Sequence, residues 1–164
     1  MNLIYDRTAE DVERALALAK KAEAGTLTDA EKTEWLAGMK GCYNATDMNR
    51  VSTAVQTLAA ELNAAGYTVE TIPQSFAETD IIRLLQWRQY LANVQSLRDA
   101  YYTLGETGQL PGTEDRLDYI GANTIEKVLA DIDLLIGWMK SSYRRCGTFR
   151  AGNNAAHLPL KGSA

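Results

Sequence analysis

Met48, Val51, Val55, Leu58, Leu62 and Ala65 follow one another at alternating spacings of three and four residues. On an α-helix all six fall on one stripe, which is the pattern of a coiled-coil-like seam. Thr46 stands where an N-cap belongs, with Asp47 and Asn49 near the unpaired amides of the first turn. Gly66 follows the last apolar position, as a left-handed C-cap would. A helix this strongly patterned has to bury its stripe against something of matching period. The chain supplies such a partner: Ile125, Leu129, Ile132, Ile136, Met139 and Tyr143 repeat the spacing within a helix expected from about Gly121 to Tyr143. Asn49 and Asn123 then occupy equivalent places ahead of the two stripes. Shared bundle geometry explains the likeness at least as well as duplication does.

The other segments read as shorter or wider helices. Thr8 opens the first, with Glu10 and Asp11 in its first turn and Val12, Ala15, Leu16, Ala19 and Ala22 as its apolar face before Gly25. Thr28 and Glu31 form a capping-box pattern ahead of Trp35, Leu36 and Met39, and Gly38 and Gly41 predict a turn. Residues 67–73 alternate with a period of two. They read as a short strand or an extended linker, and the linker is favoured because a lone strand has no partner. Ser75 and Glu78 predict the start of a helix running to about Leu104, with an apolar face from Ile81 through Leu84, Leu85, Trp87, Leu91, Val94, Leu97 and Tyr101. Thr113 to Tyr119 reads as a short helical turn.

The resulting expectation is an all-α fold: an irregular antiparallel bundle of three longer helices and one or two shorter N-terminal ones, with an extended C-terminal tail. The bundle domain is expected to span residues 1–146. Residues 147–164, rich in Gly, Asn and small side chains, cannot pack a core alone and form a tail that is either mobile or ordered by a neighbour.

Charge excludes little but says where to look. The 21 acidic and 17 basic residues are interspersed and give a net charge of -4, which makes no overall case for nucleic acid. After Asp133 no acidic residue remains, whereas Lys140, Arg144, Arg145, Arg150 and Lys161 follow, so the end of the chain is locally basic. No stretch approaches the ~20 apolar residues that span a bilayer, and the N-terminus lacks the pattern of a signal peptide. Synthesis and folding in a bacterial cytoplasm are expected. Cys42 and Cys146 have no metal-binding spacing and read as free, partly buried thiols.

No catalytic or metal constellation is visible. His157, the single histidine, has no Asp, Cys or second His beside it. Glu126, Asp131 and Asp133 read as a solvated face, since positions two apart on a helix diverge. No cofactor, metal or small-molecule substrate is expected. The candidate residues are instead structural or interactive. Asn49 and Asn123 are read as bonding nearby backbone and setting the chain's entry angle. Trp35 and Trp138, like Trp87, are read as core or interface anchors. Arg144 and Arg145, with Phe149 nearby, either complement the end of a helix or touch phosphate and stack on bases.

Tyr5-Asp6-Arg7-Thr8, the Gly25-Thr26 break, the run from Glu34 to Gly41, Tyr43-Asn44, Asp47-Met48-Asn49-Arg50-Val51, Tyr90-Leu91-Ala92-Asn93-Val94 and Asn123-Thr124-Ile125-Glu126 together resemble a family of small helical proteins encoded in prophages of Gram-positive gut bacteria. The resemblance covers roughly the first 140 residues. It implies a non-enzymatic structural or interaction module of a phage tail, tail fibre or baseplate, which would self-associate or bind other tail components and reach the virion on assembly. The alternative is a cytoplasmic regulatory module that contacts nucleic acid through its basic end.

Overall fold

The stripe residues from Met48 to Leu62 and from Ile125 to Ile136 are buried, and they are buried together. The computed structural model describes residues 1–102, 104–112 and 116–146, with side chains as far as Ser142. Its elements are α1 (Ala9–Glu23), α2 (Asp29–Leu36), α3 (Ala45–Ala64), α4 (Leu84–Ala100) and α5 (Tyr119–Cys146). The fold is all-α, with no strand among the described residues. Met48, Val51, Val55, Leu58 and Leu62 of α3 share one apolar cluster with Leu91, Val94 and Leu97 of α4 and Ile125, Val128, Leu129, Ile132 and Ile136 of α5. Fully burying each large side chain is worth roughly 1.5–3 kcal/mol relative to leaving it exposed, so the shared cluster is the main source of cohesion.

Helix boundaries follow local chemistry and differ from expectation in places. The N-cap of α3 is Asn44, not Thr46: Asn44 Oδ1 accepts from the Asp47 amide at 3.2 Å while Asp47 Oδ2 accepts from the Asn44 amide at 3.0 Å. Such a reciprocal box satisfies two otherwise orphaned donors, which leaves Thr46 exposed inside the first turn. Ala65 is the C-cap and is exposed rather than part of the seam, and Gly66 takes a φ of 94°. The capping box of Thr28 with Glu31 forms as the sequence predicts, and Thr8, which opens α1 as expected, caps it in a box with Asp11. In α1 the deeply buried residues are Ala15 and Leu18, whereas Leu16 faces solvent. The last helix is longer than expected at both ends. Of residues 113–119, 113–115 lie outside the described residues, 116–118 are not helical, and Tyr119 already belongs to α5.

The largest boundary difference concerns α4, which spans 17 residues and starts at Leu84 rather than near Ser75. Phe76 is drawn into the core and held there, and residues 77–80 form a tight turn in which the Ala77 amide donates to Asp80 Oδ2 at 2.7 Å. A chain pinned in an extended form at Phe76 cannot begin its helix there.

The directions of the helices also differ from expectation. α1 and α2 are antiparallel, as Arg14 with Glu34 and Lys21 with Glu31 show. The three longer helices run in the same sense. Arg50 meets Glu126 near the N-terminal ends of α3 and α5, and Glu61 meets Lys140 farther along both. Tyr90 of α4 reaches Tyr43, just before α3, and Tyr101 packs on Tyr67, just after it. The ends of α3 and α4 therefore lie at the opposite end of the bundle from the starts of α4 and α5, and the extended stretch over residues 67–76 runs back along it. A stretch of that length allows it, because an extended chain covers about 3.3 Å per residue whereas a helix rises 1.5 Å.

Asparagine side chains fasten these extended stretches. The carboxamide of Asn63 accepts from the Val69 amide at 2.9 Å and donates to the Val69 carbonyl at 3.0 Å. Asn93 does the same to Ile72, at 2.9 and 2.8 Å, and Asn49 to Phe76, at 2.9 and 2.7 Å. Asn123 repeats the device on Arg7 of the N-terminal segment, at 3.0 and 2.8 Å. Each carboxamide presents one donor and one acceptor, so it mimics a neighbouring strand's peptide group and leaves neither backbone group unpaired. The linker from 67 to 76 is thus ordered without a sheet.

Candidate functional site

Two places draw polar or apolar side chains into unusual positions. The first lies where the N-terminal segment crosses α3 and α5. Arg7 Nη2 donates to Asp47 Oδ1 at 3.0 Å and to Glu126 Oε1 at 2.8 Å, and its Nε donates to the Lys40 carbonyl at 3.1 Å. Arg50 donates Nη2 to Glu126 Oε1 at 2.8 Å and Nε to Oε2 at 3.1 Å, and also pairs with Asp47. The Ile4 amide completes Glu126 at 2.7 Å. Tyr43 lies against the Arg7 guanidinium, 5.2 Å from ring centroid to Cζ, and shares a short hydroxyl–hydroxyl bond with Tyr90. Burial pushes both phenol groups above their ordinary pKa, so the pair stays protonated.

Glu126 has no exposed surface, and Asp131 is buried with its carboxylate shared by Thr107 at 2.7 Å and by Lys127. The reading of these acids as a solvated face is therefore corrected. Both sit beside seam positions, and each is drawn inward by a donor from a remote segment. In the first cluster two guanidiniums face two carboxylates. Charge balance and full hydrogen bonding make this a fastening of four segments, with its acids and bases already engaged with one another.

A cleft of about 670 Å³ opens beside this cluster and is lined by Trp35, Leu36, Met39, Lys40, Asn44 and Arg50 among others. Of its charged groups, Lys40 pairs with Asp6 at 2.9 Å and Arg50 with Asp47 and Glu126, while Glu78 is exposed at its edge. Among the described residues, no group of three or more His, Cys, Asp or Glu could hold a metal ion, and no helix is long and apolar enough to cross a membrane.

The second place is the start of α4. Ile81 is 90% exposed and Leu85 78%, with Ile82 and Leu84 each a little under half exposed. These four large aliphatic side chains occupy five consecutive positions. Beside them lies an apolar hollow of about 350 Å³, lined by Tyr43, Met48, Ile82, Leu84, Trp87 and Leu117. The sequence assigned Ile81 and Leu85 to a buried helix face. The later start of α4 turns them outward, because the pinned Phe76 and the 77–80 turn set where the helix begins.

The residues singled out in the sequence do not converge on one site. Asn49 and Asn123 bond backbone as expected, but backbone 27 and 116 positions away rather than local turns. Trp35 is half-buried at the polar cleft, and Trp138 is 56% exposed on α5, so neither is a core anchor within the chain. Trp87 does pack against the core, stacked on Tyr90 with ring centroids 5.4 Å apart. The side chains of Arg144 and Arg145, and Phe149 with the rest of the tail, lie outside the described residues. Asn63, Asn93, Arg7 and Glu126 were not read as tertiary contacts. The available signal was the presence of polar residues on or beside apolar stripes.

Comparison of the chain with protein-family models, with curated proteins and with solved structures found no match.

Proposed function

We propose that the chain is a non-enzymatic interaction module that acts by presenting an apolar surface at the start of α4 to another protein. The observation that carries this reading is the outward run of Ile81, Ile82, Leu84 and Leu85 within five consecutive positions, whereas the other exposed large aliphatic side chains, among them Leu16, Leu36, Ile72, Ile120 and Leu134, are separate from one another in the sequence. Contiguous exposed hydrocarbon costs solubility, and its retention marks a surface that is covered in use. The engaged state of Lys40 and Arg50 beside the polar cleft supports a module that positions and binds. The resemblance to prophage-encoded helical proteins supports a place in a phage tail or host-attachment apparatus, with other tail components as partners.

The test is to induce the prophage in its host and analyse the purified particles by mass spectrometry. The chain should be found in the particles, and serine at Ile81 and Leu85 should abolish its incorporation without lowering its cellular level. Particles that lack the wild-type chain would remove the tail assignment. Unchanged incorporation of the double variant would remove the assigned surface.

A further inference from the structure

We infer that the partner at the start of α4 is a second copy of this chain, joined through a two-fold symmetric contact between the two 78–85 segments. The inference rests on the interaction-module reading above and names the occupant of the same surface.

Three observations support a copy over an unrelated protein. The surface carries both halves of a fit: the protruding side chains of Ile81 and Leu85, 90% and 78% exposed, and beside them the apolar hollow of about 350 Å³ lined by Met48, Ile82, Leu84, Trp87, Leu117 and Tyr43. In a two-fold contact, what protrudes from one copy meets what recedes in the other, so one patch must hold both features. The charges follow the same rule. Glu78 and Asp80 precede the apolar run and Arg83 lies within it, all three exposed, so a reversed copy brings the acids of one chain toward the arginine of the other. Finally, the segment is held from behind. Phe76 is clamped by Asn49, the Ala77 amide bonds Asp80, and the Arg83 amide donates to Gln86 Oε1 at 2.9 Å. A surface already ordered in the single chain loses little further freedom on pairing.

Sedimentation velocity of the full chain over a range of concentrations is the test. Wild-type protein should shift from monomer to dimer as concentration rises. The double variant Ile81→Ser with Leu85→Ser should stay monomeric while keeping its helical circular dichroism and melting temperature. Arg83→Glu and Glu78→Lys should each weaken pairing at least tenfold, because both copies then present like charges across the contact. An equimolar mixture of these two single variants should recover most of the lost affinity, since each half of a mixed pair again joins opposite charges.

A wild-type monomer at every concentration overturns the second copy as occupant. If the serine variant then also loses a tail component that the wild type retains, the interaction module survives with a different partner. If neither form binds anything, both readings fail. A dimer that persists in the serine variant, or that is not restored by mixing, places the contact elsewhere and equally overturns the inference.

Discussion

Along most of their shared length α3 and α5 meet through Val51, Val55, Leu58, Leu62, Ile125, Leu129, Ile132 and Ile136, whereas at their N-terminal ends they meet through Asp47, Arg50, Glu126 and the inserted Arg7. The two halves of one contact are held by different physics. Hydrocarbon burial is non-directional and roughly proportional to area, so the seam should tolerate a change of shape better than a change of volume. The charged end depends on pairing. Removing one partner leaves the others buried without compensation, and the loss then exceeds what the interaction contributed.

Glu126→Gln is expected to have the largest effect. The variant is nearly isosteric but leaves Arg7 and Arg50 short of a counter-charge, and it should cost about 3–5 kcal/mol in urea unfolding. A loss below that of a seam truncation would erase the distinction between the two halves. Leu58→Ala, at a fully buried seam position, is expected to cost about 2–5 kcal/mol through lost transfer energy and a residual cavity. Its effect should add to that of a substitution at the charged end to within about 0.5 kcal/mol if the halves are independent. Strong non-additivity would mean that the halves behave as one unit.

The asparagine clamps sharpen the comparison, since they are directional but uncharged. Asn93→Ala strands the Ile72 amide and carbonyl in a partly buried place and should cost about 1–3 kcal/mol. Asn63→Ala, at an exposed residue where water can replace the side chain, should cost less. Equal losses at the two positions would argue that the bonds themselves, and not their burial, set the cost.

The smallest effect is expected at the pairing of α1 with α2, where the Lys21 side chain is half exposed. The Lys21 ammonium and the Thr28 backbone amide hold the Glu31 carboxyl down at about 2. A depressed carboxylate contributes stability above its unfolded pKa of about 4.3. That contribution is lost as pH falls through the folded value. In acid titration by NMR the Glu31 resonance should therefore move well below the range of ordinary carboxylates, and Lys21→Met should return it toward that range. A Glu31 midpoint already near 4.3 would show that Lys21 and Thr28 do not hold it.

Much of the fold was legible in the chain because it is written at short range. The stripes at Met48 to Leu62 and Ile125 to Met139 recur at helical spacing, and Thr8 and Thr28 cap their own helices within three residues. The caps failed as guides where an unread side chain took the place of the candidate, as Asn44 did for Thr46, or where a remote contact overrode one, as with Ser75. Of the candidate residues, Asn49 and Asn123 were recognisable as polar places on packing helices, but their partners, Phe76 and Arg7, were not. Nothing in a local window marks which backbone a carboxamide will meet.

The sequence by itself determined that this protein is helical and which faces of α3 and α5 turn inward, because side-chain period and capping are properties of a few neighbouring residues. Only the tertiary structure decided that the three longer helices point the same way, that Glu126 and Asp131 go inside, and that Ile81 and Leu85 stay out. Those outcomes depend on long connections and on pairings between distant residues. The apolar stripes are compatible with either helix direction, and the choice is made where Arg7, Asn49 and Asn93 find what they bind.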